Sequence, residues 1–169
     1  MMSKWLPPGG LSDRWSCVVV HHTASDIGCL KDIDRWHRDK GWDCCGYHFV
    51  IGNGTGSGDG EIEVGPRWWD QSTGAHTRLF GAPSSHEGNY YNEHGIGIVL
   101  VGNFDKTPPT KKQMEALAEL VYFLTTQANL PNGRIYVHGD LKKTDCPGFF
   151  FPRLGLATRL RALYQGHEG

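Results

Sequence analysis

The sequence predicts an α/β fold: one domain over residues 1–169, its core at about 15–165, built on a mixed central β-sheet flanked by about three α-helices. Three observations predict it. Short runs rich in Val, Ile and Tyr alternate with segments of helical periodicity, which is the pattern of helices packed on a sheet. The run IGIVLV at 96–101 is apolar on both faces, as a central strand covered from both sides must be. The chain has 169 residues with no internal repeat and no linker, a length that suits a single core.

The elements follow in order. Strands are expected at 15–22 (WSCVVVHH), 45–51 (CGYHFVI), 60–64 (GEIEV), 96–101 and 134–138 (RIYVH). A first helix over about 29–40 has Ser25 or Asp26 near its start and Gly41 just past its end. The segment GNGTGSGDG (52–60) lacks the carboxylate spacing of a calcium loop and reads as a flexible hairpin connection. A second helix begins at Thr110, where Thr110 and Gln113 form a capping box. Met114, Leu117, Leu120, Val121 and Leu124 then recur on one face, and Asn129 and Pro131 stop it. The third helix, about 152–165, has Pro152 in its first turn and turns Leu156, Leu160 and Leu163 inward.

Composition narrows the function classes. The chain is 38% hydrophobic and 21% charged, with mean hydropathy −0.44 and formal net charge −1. No basic excess points to nucleic acid, and no apolar run reaches the length of a membrane span, so neither partner is expected. The opening MMSKWLPPGG has no apolar stretch and is broken by Pro7 and Pro8, so synthesis in the cytoplasm without a secretory leader is expected. The five cysteines include an adjacent pair and form a poor disulfide framework. Most read as small buried hydrophobes, with Cys146 the exception.

Two stretches carry chemistry. VVVHHTAS (18–25) is a buried strand that ends on His21 and His22. Strand alternation puts them on opposite faces, so only one can point at a common site, and periodicity does not select which. VHGDLKKTDCPG (137–148) ends a second strand on His138 and places Cys146 eight residues later. Two imidazoles and a thiolate suit tetrahedral zinc, and three protein ligands with the fourth position open is the catalytic pattern. A structural site would need a fourth ligand such as His76 or Asp140. Two histidines and a distant cysteine make no regular motif, and by themselves they read first as polar residues at strand ends.

Five segments, VVVHHTAS, IDRWHRDKGWDCCGYHFVI, GAHT, NEHGIGIVLVGNF and VHGDLKKTDCPG, occur in the order found in type 2 N-acetylmuramoyl-L-alanine amidases. The chain resembles that family, which includes phage lysozyme-type amidases and peptidoglycan-recognition proteins, from about Trp15 to Pro152. The resemblance implies zinc held by His21, His138 and Cys146, and so leaves His22 a packing or hydrogen-bonding role. It implies catalytic roles for Tyr47, in GYHF, and for Thr144, two residues before the cysteine. Lysine can stand there in phage lysozyme-type members; threonine resembles the recognition-protein branch. One departure is that some cytosolic members have a strand glutamate where this chain has Val99, so that general base is absent.

The implied reaction is hydrolysis of the amide between N-acetylmuramic acid and the L-alanine of the peptidoglycan stem peptide. Tyr47 would donate to the oxyanion, with Thr144 as second donor, and Tyr47 would help with the proton that the absent glutamate cannot take. Peptidoglycan or a muropeptide is the implied partner, met by a monomer. Residues 65–94 are expected to form groove loops, with Trp68, Trp69, His76, Tyr91 and Asn92 as substrate contacts. His37 reads as structural, His48 points away from the site, and His86, His94 and His167 fall in loop or tail. A phage endolysin acting on the wall after release is the leading expectation, with a bacterial recycling amidase or a non-catalytic peptidoglycan-binding module as alternatives.

Overall fold

The structure, a computed structural model, describes residues 2–77, 86–131 and 134–166. Five strands form one sheet in the order β3-β2-β4-β1-β5. They are β1 (Cys17–His22), β2 (Phe49–Ile51), β3 (Ile62–Val64), β4 (Gly95–Leu100) and β5 (Ile135–Val137). β4 pairs parallel with β1 and β2, β5 pairs parallel with β1, and β3 is antiparallel at one edge. Every residue of β1 and β4 is buried, which is why these runs are apolar on both faces.

The two faces have different cores. Val18 and Val20 of β1, with Phe49, Ile51, Ile96, Ile98 and Leu100, pack against Met114, Leu117, Leu120, Val121 and Leu124 of α4 (Lys111–Gln127). Leu156 and Leu160 of α6 (Arg153–Gly166) join that cluster. The other face carries Val50, Val99 and Val101 against Leu30, Ile33 and Trp36 of α1 (Leu30–Asp39). The capping box forms: Thr110 Oγ1 accepts from Gln113 N at 3.0 Å and Gln113 Oε1 accepts from Thr110 N at 3.1 Å. Gln113 Nε2 also donates to the carbonyls of Ile51 and Val101, tying the first turn of α4 to the sheet.

Helices beyond the three expected are α2 (Pro66–Trp69), α3 (His86–His94) and α5 (His138–Leu141), and Met2–Trp5 forms a short 3₁₀ turn. Four-residue helices are too short to show a period, and α3 (HEGNYYNEH) presents no apolar stripe. Residues 65–77 and 86–94 are therefore partly helical rather than a run of loops, and His94 ends a helix. The opening segment is held in place: Trp5 is buried edge-on against Phe123, and its carbonyl accepts from Trp68 Nε1 at 2.7 Å. His167 and residues 78–85 lie outside the described residues.

Candidate metal centre

Parallel pairing builds the site. β1 and β5 run side by side with Val20 opposite Val137, so the next residue of each, His21 and His138, lies at the same carboxyl end of the sheet. That end is where open α/β sheets present their functional groups. The chain then turns through α5 and comes back, held by Gly139 N donating to the Cys146 carbonyl at 2.9 Å. One ligand atom each from His21, His138 and Cys146 lies within 4.8 Å of the others.

The geometry suits a tetrahedral ion. Cys146 Sγ is 3.8 Å from His21 Nδ1, against about 3.5 Å for the S···N edge of a zinc tetrahedron. His138 Nε2 is buried and has no hydrogen-bond partner, an orphaned atom that a metal would satisfy. Burial pushes the Cys146 thiol up to about 11, so a thiolate there needs a cation beside it. The His22 backbone N–H, 3.4 Å from Sγ, supplies only a weak donor. No fourth protein ligand closes the set among the described residues. Asp140 spends its carboxylate on Val137 N at 3.0 Å and Arg153 Nη1 at 2.8 Å. A position is thus left for water or substrate.

The imidazoles form a line that runs inward from the cluster. Ring centroids are 4.5 Å apart for His21 and His138, 5.0 Å for His21 and His76, and 5.9 Å for His76 and His48. Burial lowers all four: His138 to about 4, His76 to about 3, His48 to about 4, and His21 well below its ordinary value, the neighbouring imidazoles adding to the effect on His21. They are neutral at neutral pH, the protonation state a metal ligand requires. Next to His21 across the sheet lies Val99, fully buried, so no carboxylate enters from β4.

Tyr47 stands beside His21. Its ring is half-buried, 5.2 Å from the His21 ring, and burial raises its phenol, so it stays protonated. His37, 5.7 Å from Tyr47, accepts from Gly46 N through Nδ1 at 2.9 Å and packs on Trp42, as its structural reading expected. Thr144 Oγ1 accepts from Cys146 N at 3.3 Å, which orders the cysteine loop while its hydroxyl proton stays available to a ligand. His22 faces the other way: Nδ1 accepts from Phe104 N at 3.1 Å and the ring packs on Phe104.

Three expected groove contacts lie inside the protein: Trp68, His76 and Asn92 are all buried. Trp68 is fully buried in the α4-side core against Phe49, because α2 turns it inward while Trp69 remains 39% exposed. Asn92 is buried, and its Oδ1 accepts from the backbone N–H of both His76 and Thr77, so it holds a loop instead of a ligand. His76 is buried with both ring nitrogens occupied, Nδ1 at 3.0 Å from His21 Nε2 and Nε2 at 3.1 Å from the Gly95 carbonyl. Tyr91 stays on the open side, half-buried and 5.9 Å from Tyr136, which shares the sheet face of His21.

Comparison with known proteins gives the family of the chain. The family model for N-acetylmuramoyl-L-alanine amidase matches residues 11–149. The chain is 31% identical over 148 residues to peptidoglycan-recognition protein SC2 of Drosophila simulans, covering 82% of this chain and 71% of that protein. It is 32% identical over 148 residues to the endolysin of Klebsiella phage KP32, covering 82% and 83%. Among solved structures, the N-acetylmuramoyl-L-alanine amidase LysC from Clostridium intestinale URNW superposes with TM-score 0.70 at 30% identity, covering 89% of each chain.

Proposed function

The chain belongs to the N-acetylmuramoyl-L-alanine amidase family, and from that premise we propose that it is a zinc-dependent peptidoglycan hydrolase. It cleaves the amide between N-acetylmuramic acid and the L-alanine of the stem peptide, and it acts as an endolysin, made in the cytoplasm and working on the wall after release. The observation that carries the reading is the cluster of His21, His138 and Cys146 around an orphaned imidazole nitrogen with the fourth position open. The endolysin role is supported by the likeness to the phage KP32 endolysin along most of both chains.

His21, His138 and Cys146 would hold the ion. When bound, zinc supplies a Lewis acid for the scissile carbonyl and a nucleophilic water at neutral pH. The protein does the rest. Cys146 contributes one negative charge and the histidines none, so the site keeps a net positive charge for the developing oxyanion. The Tyr47 hydroxyl donates to that oxygen, and the Thr144 hydroxyl is the second donor. Loss of such a donor costs ~10²–10³ in rate. β4 offers Val99 and no carboxylate for the proton of the attacking water, so the Tyr47 hydroxyl takes that proton up as it gives its own to the leaving amine. Trp69 and Tyr91 are the remaining aromatic candidates for contact with the glycopeptide.

The test is chemical. Purified peptidoglycan is digested and its new amino termini are labelled and identified. The reading predicts alanine as the new terminus with no new reducing sugar. Another terminal residue, or new reducing ends, contradicts the bond assignment. Binding to peptidoglycan with no new termini identifies a recognition module instead.

A further inference from the structure

We propose that His76 is a positioning residue: it fixes His21 in the tautomer whose proton sits on Nε2 and whose lone pair sits on Nδ1, toward the metal cluster. Protons can be counted along one hydrogen-bonded line. His76 Nε2 lies 3.1 Å from the Gly95 carbonyl oxygen. A carbonyl has no proton to give, so Nε2 of His76 carries the hydrogen. In the neutral ring its Nδ1 is then only an acceptor. His76 Nδ1 lies 3.0 Å from His21 Nε2, and the proton of that bond comes from His21. His21 Nδ1 is left with a free lone pair, and it is this nitrogen that stands 3.8 Å from Cys146 Sγ. The opposite tautomer would set two lone pairs face to face inside the protein and put a proton where the ion must bind.

The protein keeps His76 in register from every side. Asn92 Oδ1 takes the backbone N–H of His76 and of Thr77, each at 2.8 Å. Gly97 lies under the ring: a Cβ there would come within 2.6–2.9 Å of three ring atoms. A Cβ on Gly74 would likewise meet His76 Cδ2 at 2.6 Å. His48 repeats the logic one step deeper, accepting from Gly97 N through Nδ1 and donating through Nε2 to the Ser72 carbonyl. A ligating histidine ordinarily donates its second N–H to a carboxylate, carbonyl or water. Here the acceptor is an uncharged imidazole, which sets the tautomer without adding negative charge beside the ion.

The tautomer follows from the hydrogen bonds alone, and its consequence for metal binding rests on the zinc reading above. Two measurements on the full chain separate them. Long-range ¹H–¹⁵N correlation of the histidine rings in metal-free wild-type protein should show His21 with a pyrrole-type Nε2 and a pyridine-type Nδ1. The reverse pattern, or averaging between the two, overturns the proposal. Zinc affinity by chelator competition should fall ~10–100-fold in His76→Leu. His76→Asn, which restores an acceptor near the Nδ1 position, should recover part of the loss. A His76→Leu variant that binds zinc as tightly as wild type overturns the positioning role. If that variant does not fold, the wild-type spectrum decides. Wild-type protein with the expected tautomer but no zinc binding leaves the tautomer assignment standing and overturns the metal reading.

Discussion

The imidazole of His76 occupies the space in which Gly97 would carry a side chain. The central strand thus gives up a side chain so that a buried histidine can lie flat on it, directly behind a metal ligand. Gly97→Ala forces the ring to move, and the ring is held at both nitrogens. We expect a loss of about 1–3 kcal/mol in stability, the usual cost of overpacking. A weaker zinc site should accompany it. Urea unfolding and chelator competition on the same preparation check both, and an unchanged zinc affinity would show that the His76 ring has no bearing on the site.

His21 and His22 divide two tasks between two faces of one strand. His21→Ala should remove zinc binding. His22→Ala should keep it and cost about 1–3 kcal/mol, because the buried Phe104 N–H loses its acceptor. Metal analysis of the two variants checks this, and a reversed result would put the register wrong by one residue.

Tyr47→Phe removes a hydroxyl and keeps the ring against His21. An oxyanion donor acts in the transition state, so kcat should fall ~10²-fold or more with KM and zinc content near wild type. Steady-state kinetics on a soluble muropeptide reads the split. Unchanged kcat would make the tyrosine structural and pass its task to Thr144.

Acid should destabilise the metal-free protein in a defined window. His48 is fully buried and lowered to about 4 by burial, and His37 is also lowered to about 4. The unfolded chain titrates these rings near 6.5. Between the two values the unfolded state binds protons that the folded state refuses, so stability rises with pH there and is lost as pH falls from about 6.5 toward 4. His48 alone accounts for at most about 3 kcal/mol. Urea unfolding at about pH 7.5 and about pH 5 tests the sign, and equal stability at the two would contradict it.

Sequence periodicity located all five strands and the three long helices because each buries a regular face. It could not choose between His21 and His22; motif order did, and the cluster with Cys146 agrees. Composition misled in the segment around residues 68–92, where aromatic and amide groups suggested a groove. Direction decides there, and adjacent residues of a short helix diverge: Trp68 goes into the core while Trp69 stays exposed. His76, expected among the groove residues, likewise lies buried behind His21. The signal that could have found it was glycine: Gly74 two residues before it, and Gly97 inside an otherwise apolar strand, where a glycine marks close approach of another group.

If His21, His138 and Cys146 hold the zinc needed to cleave the muramoyl–alanine amide, activity must follow metal loading. The direct measurement is titration of metal-free protein with zinc, with mass spectrometry of the peptidoglycan digest at each step and Cys146→Ser as the control. Free stem peptides beginning with alanine should appear in proportion to added zinc and level off at one ion per chain, with none from the variant. Full release of those peptides by metal-free protein, or by Cys146→Ser without zinc, would contradict it.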